Sequence, residues 1–196
     1  LIRRVWDNCV QAVGKDQVLV ATDDETILEH CLGQGMQVTM TSSECLTGTD
    51  RVCEIAHKID KDIYINVQGD EPLINPKDIL TVIDTARKYK ETIINCMCPI
   101  EDENDFRNPN VPKVVTDQDG RLLYMSRGGV PTTKNLSFEK AYKQVCIYAF
   151  PKKPLAHFAE QTAKTPLEAL EVLDKTASKF PFIYSSYQVL ILFIKS

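Results

Sequence analysis

Three short loops in this sequence combine side chains that could bind a nucleotide or a metal ion. They are Ala21–Asp24, Thr47–Arg51 and Gln68–Pro72, and each lies beyond a stretch that predicts a β-strand. In open α/β sheets the ligand crevice lies outside the carboxyl ends of the parallel strands. We therefore expect the chemistry of this chain to be located in these three loops.

The most informative of these loops is Gln68–Pro72. Asp70 directly follows a buried strand and is preceded by Gly69. A carboxylate in this position can hold a hard divalent cation such as Mg²⁺ with few protein ligands, because nucleotide phosphates supply the others. We predict Asp70 as a metal ligand. The alternative is that the segment only turns the chain.

The other two loops carry weaker signals. Thr47–Arg51 precedes a predicted helix and could present backbone N–H groups and hydroxyls to a base or a phosphate; the alternative is a simple helix N-cap. Ala21–Asp24 overlaps the pattern T-x-x-E, which runs from Thr22 to Glu25. This pattern predicts a capping box, and the capping box is enough to explain the loop.

The elements that must position these loops alternate along the first half of the chain. Helical periodicity is found in segments 2–13, 27–31, 52–59 and 75–90, and strand-like segments are 17–21, 36–40, 63–67 and 93–98. Strands alternating with helices predict a mostly parallel sheet flanked by helices. Asn75 and Pro76 predict the N-cap and first turn of the last of these helices.

The second half of the chain has a mixed pattern. A hairpin is predicted from Lys113 to Met125, with its turn at Asp117–Gly120. A strand at 144–150 and helices at 154–163 and 166–178 follow. The apolar run Val189–Ile194 predicts a buried strand rather than a membrane segment. Because no linker divides the chain, we expect one domain over residues 1–196.

Composition excludes several classes of protein. The chain has 196 residues, 43% of them hydrophobic, and its formal net charge is −4. An acidic chain lacks the positive charge that nucleic-acid binding requires. No segment reaches the roughly 20 apolar residues of a membrane span. Seven cysteines, an odd number, fit reduced thiols better than a disulfide framework. We expect a cytoplasmic protein that binds neither nucleic acid nor membrane.

Taken together, the motifs resemble the cytidylyltransferases that activate acidic sugars. The resemblance is greatest to the 3-deoxy-manno-octulosonate (Kdo) cytidylyltransferase family, the CMP-Kdo synthetases, and it covers roughly residues 1–173. The segments that carry it, in family order, are Val20–Asp24, Met40–Ser42, Thr47–Arg51, Asn66–Ile74, Lys113–Val115, Leu123–Arg127 and Ile147–Phe150.

The resemblance implies a Rossmann-like nucleotidyltransferase fold. In the implied reaction the anomeric hydroxyl of Kdo attacks the α-phosphate of CTP, releasing pyrophosphate and giving CMP-Kdo for lipopolysaccharide biosynthesis. Mg²⁺ is the implied cofactor and a homodimer the implied assembly. In-line phosphoryl transfer requires positioning and charge neutralisation, which a bound cation and a guanidinium group can provide.

The resemblance also implies roles for individual residues. Asp70 carries the metal and Arg127 meets the sugar carboxylate, and we expect both to be catalytic. Gln68 faces the sugar, and Thr49 and Arg51 lie near the nucleotide. The complete set of implied substrate-binding residues is Gln68, Thr47, Gly48, Thr49, Arg51 and Tyr148. For Tyr148 the alternative is packing within its strand.

Two family features have no counterpart in this sequence. The family opens with a strand and a glycine-containing loop whose arginine, serine and lysine grip the triphosphate, and it closes with a second metal-binding aspartate. We therefore expect a single nucleotidyltransferase domain that is incomplete at both ends relative to the family. Two alternatives remain open: an N-acylneuraminate cytidylyltransferase, because Asp174–Lys175 replaces a Glu-Gln pair of Kdo enzymes, and a catalytically inactive nucleotide-binding remnant.

Overall fold

A computed structural model describes residues 1–45 and 47–160 and the strand 189–194. Its helices are α1 (Ile2–Val13), α2 (Glu25–Gly33), α3 (Gly48–Lys58), α4 (Pro76–Lys88), α5 (Glu103–Arg107) and α6 (Lys152–Ala159). Its strands are β1 (Val18–Thr22), β2 (Val38–Met40), β3 (Ile63–Gln68), β4 (Ile94–Pro99), β5 (Lys113–Thr116), β6 (Leu122–Ser126), β7 (Tyr142–Pro151) and β8 (Val189–Ile194). A single 3₁₀ turn, Lys15–Gln17, precedes β1.

The described residues form two compact units. The first contains residues 1–94, 146–160 and 189–194, and the second contains residues 95–145. The strands of the first unit pair in the order β2-β1-β8-β3-β7, the last through the second half of β7. β1 and β2 are parallel, whereas β8 is antiparallel to β1 and to β3, and β7 is antiparallel to β3.

The expectation of a mostly parallel sheet is wrong for the pairings that the structure describes. Among the described pairs β1–β2, β1–β8, β3–β8, β3–β7, β5–β6 and β5–β7, only β1 and β2 run parallel. The reason is that β8 lies between β1 and β3 and runs opposite to both. β1, β2 and β3 nevertheless point in the same direction, so their carboxyl ends share one edge of the sheet. This shared edge is the feature that matters for the site.

The core of the first unit follows from its apolar patterning. Every residue of β1 and β3 is buried, as expected of strands covered on both faces. Helices α1 and α4 pack against each other. The buried side chains of α1 are Ile2, Val5, Trp6 and Cys9, and those of α4 are Ile79, Val82, Ile83 and Ala86. These residues have helical spacing, which confirms the predicted amphipathic helices.

Helix caps show where local sequence is informative and where it is not. Asn75 caps α4 as predicted, accepting a hydrogen bond from the Lys77 N–H, and Pro76 is in the first turn. The predicted Thr22 capping box is wrong. Asp24 caps α2 instead, through the Ile27 N–H, while the Thr22 hydroxyl accepts from the Asp24 N–H at 3.1 Å. Because α2 begins at Glu25, Thr22 lies two residues before the N-cap position and cannot cap the helix.

The second unit contains the predicted hairpin. β5 and β6 are antiparallel, with Lys113 opposite Ser126, and β5 also pairs with the first half of β7. β4 pairs with β7 as well. Helix α5 was not predicted from the sequence, because five residues are too few to show a helical period. Its Phe106 is fully buried and packs with Ile100 and Ala141.

Two predictions concern the end of the chain. The apolar run Val189–Ile194 is a strand, as expected. The predicted helix at 166–178 lies outside the described residues, as does the end of the helix predicted at 154–163. Within the described part of the chain, no helix has the length and apolarity required to cross a membrane.

Candidate functional site

Buried polar side chains collect at the shared edge of the sheet in the first unit. Thr22 ends β1, Thr41 directly follows β2, and Gln68 ends β3. The start of α3 adds three more, and all six side chains are less than a tenth exposed: Thr22, Thr41, Thr47, Thr49, Arg51 and Gln68. Burying polar groups costs free energy unless they are hydrogen-bonded, so such a concentration indicates a functional site.

Arg51 is the centre of this group. Its side chain is only 4% exposed, and Nη2 donates to Asp23 Oδ2 at 2.5 Å. Nη1 donates to the Thr41 hydroxyl at 2.6 Å and to the Ser42 carbonyl oxygen at 3.4 Å. Among the described residues nothing accepts a hydrogen bond from Arg51 Nε, although this atom is buried. The guanidinium group is therefore fixed in direction by three hydrogen bonds.

The beginning of α3 has the geometry of a capped helix N-terminus. The Thr47 hydroxyl accepts from the Asp50 N–H at 3.3 Å and donates to Asp50 Oδ2 at 2.6 Å. Gly48 and Thr49, the first two helical residues, are buried. The N-cap interpretation of this loop is thus confirmed, and the nucleotide interpretation stays a prediction.

Asp70 lies at the same edge, in a turn that follows β3. The Glu71 N–H donates to the Gln68 carbonyl oxygen at 3.2 Å, and Asn8 of α1 donates to the Ile74 carbonyl oxygen at 2.9 Å. Gly69 is buried while Asp70 is exposed. The segment turns the chain, as the alternative expected, and in doing so presents a carboxylate to solvent.

The donor set near Asp70 is small. No group of three or more His, Cys, Asp or Glu residues that could hold a metal ion occurs among the described residues. Mg²⁺ does not need such a group, because it keeps several water ligands and is often bound by one or two carboxylates together with substrate phosphates. An exposed Asp70 with Glu71 beside it fits this mode of binding.

Tyr148 is part of a buried group on β7. It is 2% exposed, its ring stacks on Phe150 with 6.0 Å between centroids, and it lies opposite Asn66 of β3. Burial, and then the neighbouring Cys146, raises the pKa of Tyr148 well above its usual value. Burial, followed by the charges of Glu71 and Asp70, raises the pKa of the Cys146 thiol to about 12. Both side chains are therefore neutral near pH 7.

Arg127 belongs to the second unit, unlike the other predicted site residues. It is exposed, directly follows β6, and its Nη1 donates to the Pro109 carbonyl oxygen at 3.0 Å. The structure thus brings the Thr47–Arg51 segment together with Thr41 and Asp23. It also puts Gln68 and Asp70 at the same sheet edge.

Two residues stand out in the structure that the sequence did not single out. Asp23 was explained by the capping box, and only the structure shows its ion pair with Arg51. Lys113 appeared only as part of a motif, yet its side chain is fully buried. A fully buried lysine has no sequence signature, because lysine is almost always exposed.

A cavity of about 590 Å³ lies at the opposite end of β3. Its walls include Ile63, the first residue of β3, together with Arg87, Lys90 and Lys153. Since Gln68 is the last residue of the strand, five residues of extended chain, about 17 Å, separate this cavity from the candidate site. The cavity is therefore not the site that the sequence predicts.

Comparison of the sequence with protein families gives one match over almost the whole chain. The profile of the family described as "Cytidylyltransferase" matches residues 1–190. The 3-deoxy-manno-octulosonate cytidylyltransferase of Syntrophotalea carbinolica is 35% identical over 185 residues, which are 89% of this chain and 74% of that protein. The enzyme of the same name from Escherichia coli is 32% identical over 169 residues, which are 86% and 69% of the two chains.

Comparison with solved structures agrees with the sequence comparisons. The chain is similar to a CMP:2-keto-3-deoxy-manno-octonic acid synthetase complexed with CTP, with a TM-score of 0.77 and 32% identity, over 86% of this chain and 70% of that one. HddC from Yersinia pseudotuberculosis, at 14% identity and a TM-score of 0.53, is similar in fold alone. The fold is thus an α/β nucleotidyltransferase fold, as expected.

Proposed function

Because this chain belongs to the 3-deoxy-manno-octulosonate cytidylyltransferase family, we propose that it transfers CMP from CTP to Kdo, giving CMP-Kdo and pyrophosphate. The observation that carries the proposal is the similarity, over 86% of the chain, to a synthetase of this kind solved with CTP. The buried polar side chains at the carboxyl ends of β1, β2 and β3 also support it, because this is where open α/β sheets bind their ligands.

The nucleotide is proposed to bind at the start of α3. Arg51 is held rigidly by Asp23 and Thr41, so its positive charge has a fixed position next to the start of α3. This charge is proposed to attract the phosphate groups of the nucleotide. Preorganised charges of this kind are effective because they do not have to reorient when the ligand binds.

Asp70 is proposed to hold Mg²⁺, with Glu71 next to it. When bound, the ion neutralises charge on the phosphates and orients them. The role of the chain is to keep a carboxylate exposed at a fixed position, which the turn after β3 and its hydrogen bonds to Asn8 achieve. Gln68, also at this edge, is proposed to face the sugar.

The acidic sugar is proposed to be recognised through its carboxylate. Arg127 is the exposed cation that the family motif assigns to this contact, and a guanidinium group can bind a carboxylate with two parallel hydrogen bonds. Tyr148 is buried and stacked on Phe150. Its proposed contribution to sugar binding is the surface of its ring and not the exchange of a proton.

In the proposed reaction the anomeric oxygen of Kdo forms a bond to the α-phosphorus of CTP. The bond between this phosphorus and the bridging oxygen of the pyrophosphate group breaks, and the proton of the hydroxyl group passes to solvent. CMP-Kdo then serves lipopolysaccharide assembly in the cytoplasm. We also propose that the chain forms a homodimer, and this part of the proposal rests on the family resemblance alone.

Pyrophosphate release tests the proposal directly. The purified chain is incubated with CTP and Mg²⁺ in three parallel samples, containing Kdo, N-acetylneuraminate or no acceptor. We expect release with Kdo only. Release with N-acetylneuraminate only would assign the chain to sialic-acid activation, and the absence of release from a folded chain in all three samples would favour an inactive remnant.

A further inference from the structure

Lys113 is a buried cation for which the proposed reaction has no use. It is the first residue of β5, and its side chain is fully buried. Its ammonium group donates to the carbonyl oxygens of Asn108 at 2.8 Å and Val111 at 2.7 Å. Burying a lysine is costly, because the ammonium loses its hydration. An apolar residue would fill this position at lower cost if packing were the only requirement.

Lys113 and Arg127 hold the same short loop. The loop runs from Asn108 to Val111, and the carbonyl oxygen of Pro109 accepts from Arg127 Nη1 at 3.0 Å. Three carbonyl oxygens of this loop therefore accept hydrogen bonds from the two cations. Since Lys113 lies opposite Ser126 in the β5–β6 ladder, Arg127 leaves the sheet one residue beyond this pair.

Lys113 also interacts with charged side chains around this loop. Burial lowers the pKa of Lys113, and the charge of Arg127 lowers it further, while Asp105 opposes the shift. Asp105 itself is bound to Lys143 at 2.7 Å. Asp105 therefore interacts with Lys113 as well as with Lys143, and Asp102 also acts on Lys143. An anion bound at Arg127 would reduce the repulsion between Arg127 and Lys113.

We propose that Lys113 is a positioning residue for Arg127. By fixing the Asn108–Val111 loop, it fixes the carbonyl oxygen that orients the Arg127 guanidinium group towards the carboxylate of an acidic sugar. The part of this inference that concerns the sugar rests on the proposed function; the control of Arg127 by Lys113 does not. Lys113 is too deeply buried to contact the sugar itself.

The test uses Lys113→Met, which keeps the length of the side chain and removes the ammonium group. Lys143→Met is the matched control, because Lys143 lies opposite Lys113 in the β5–β7 ladder and its removal changes the net charge equally. Two quantities are measured: the NMR signal of the Arg127 Nε–H group in the free chain, assigned by its loss in Arg127→Lys, and the KM values for Kdo and CTP.

We expect Lys113→Met to shift the Arg127 signal and to speed its hydrogen exchange, with no such change in the control. We also expect the KM for Kdo to rise about tenfold or more, as for the loss of a charge-assisted contact, with the KM for CTP nearly unchanged. If Lys113→Met does not fold, Lys113→Gln is measured in the same way, since its amide can still donate to one carbonyl oxygen.

An unchanged Arg127 signal in a folded Lys113 variant would overturn the proposal, as would an equal rise of both KM values, which indicates a general structural effect. A wild-type chain that does not use Kdo would instead contradict the proposed function. In that case the Arg127 signal still decides whether Lys113 positions Arg127, so the two failures are distinguishable.

Discussion

At the scale of single residues, the structure shows which side chains the motif residues contact. The sequence identified Thr49 and Arg51 as candidate nucleotide-binding residues from their motif, but it could not indicate that Arg51 is buried and bound to Asp23. This ion pair joins residues 28 positions apart, so no local pattern encodes it. Asp70 is the opposite case, because its exposed position after a buried strand follows from the sequence itself.

The ion pair leads to a prediction for Asp23→Asn. The substitution leaves Arg51 buried with no counter-charge, and we expect the free energy of unfolding to fall by about 2 kcal/mol, less than for a fully buried pair because Asp23 is partly exposed. CTP affinity should fall as well. Urea denaturation and isothermal titration calorimetry measure the two effects.

The matched control is Asp24→Asn, because it removes the same charge from the neighbouring residue and asparagine can still cap α2. Equal losses of stability in the two variants would show that the ion pair with Arg51 is not the cause.

Asp70→Asn tests the metal assignment. Because Asp70 is exposed, we expect the melting temperature to stay within a few degrees of the wild-type value and Mg²⁺-dependent turnover to fall at least about 100-fold. Asp78→Asn, at an exposed position in the first turn of α4, is the control. Turnover that is undiminished in the Asp70 variant would exclude this residue as the metal ligand.

At the scale of elements, most helices and strands could be predicted and their partners could not. Apolar periodicity identified α1, α3 and α4, and the Asn75–Pro76 pair identified the start of α4. The direction of neighbouring strands is not encoded in their composition. The insertion of β8 between β1 and β3 therefore had no signal, although the strand itself was predicted from its apolar run.

The central position of β8 leads to a prediction for Leu192→Pro. The backbone of residue 192 pairs with Val18 on one side and with Ile65 on the other. Proline removes the N–H group and fits poorly into a strand that is paired on both sides. We expect the free energy of unfolding to fall by about 3 kcal/mol or more. Urea denaturation followed by circular dichroism measures the change.

Leu192→Val is the control for this substitution, because it keeps the backbone N–H group and a β-forming side chain. An unchanged unfolding midpoint for the proline variant would show that β8 does not pair in the centre of the sheet.

At the scale of the whole molecule, the number and spacing of the cysteines led to a correct prediction. The seven cysteines are all free thiols in the structure, which confirms the prediction of reduced thiols from their odd number. The α/β class also followed from the alternation of elements. The predominance of antiparallel pairings, by contrast, depends on contacts between segments far apart in the chain, for which local patterns carry no information.

The thiols lead to a prediction for the whole chain. We expect seven reactive thiols per chain in denaturant without prior reduction, as measured with Ellman's reagent. In the native protein Cys9, Cys31 and Cys53 should not react, since they are buried and burial raises the pKa of each thiol. Fewer than seven thiols in denaturant would reveal a disulfide and contradict the structure.

The central claim is that this chain is a cytidylyltransferase that uses Kdo as the acceptor. The most direct measurement is identification of the product by mass spectrometry after incubation of the folded chain with CTP, Mg²⁺ and Kdo. We predict a species with the mass of CMP-Kdo, which is absent when Kdo is omitted or when Asp70→Asn replaces the wild-type chain. A folded chain that binds CTP and leaves it unchanged in the presence of Kdo would contradict the claim.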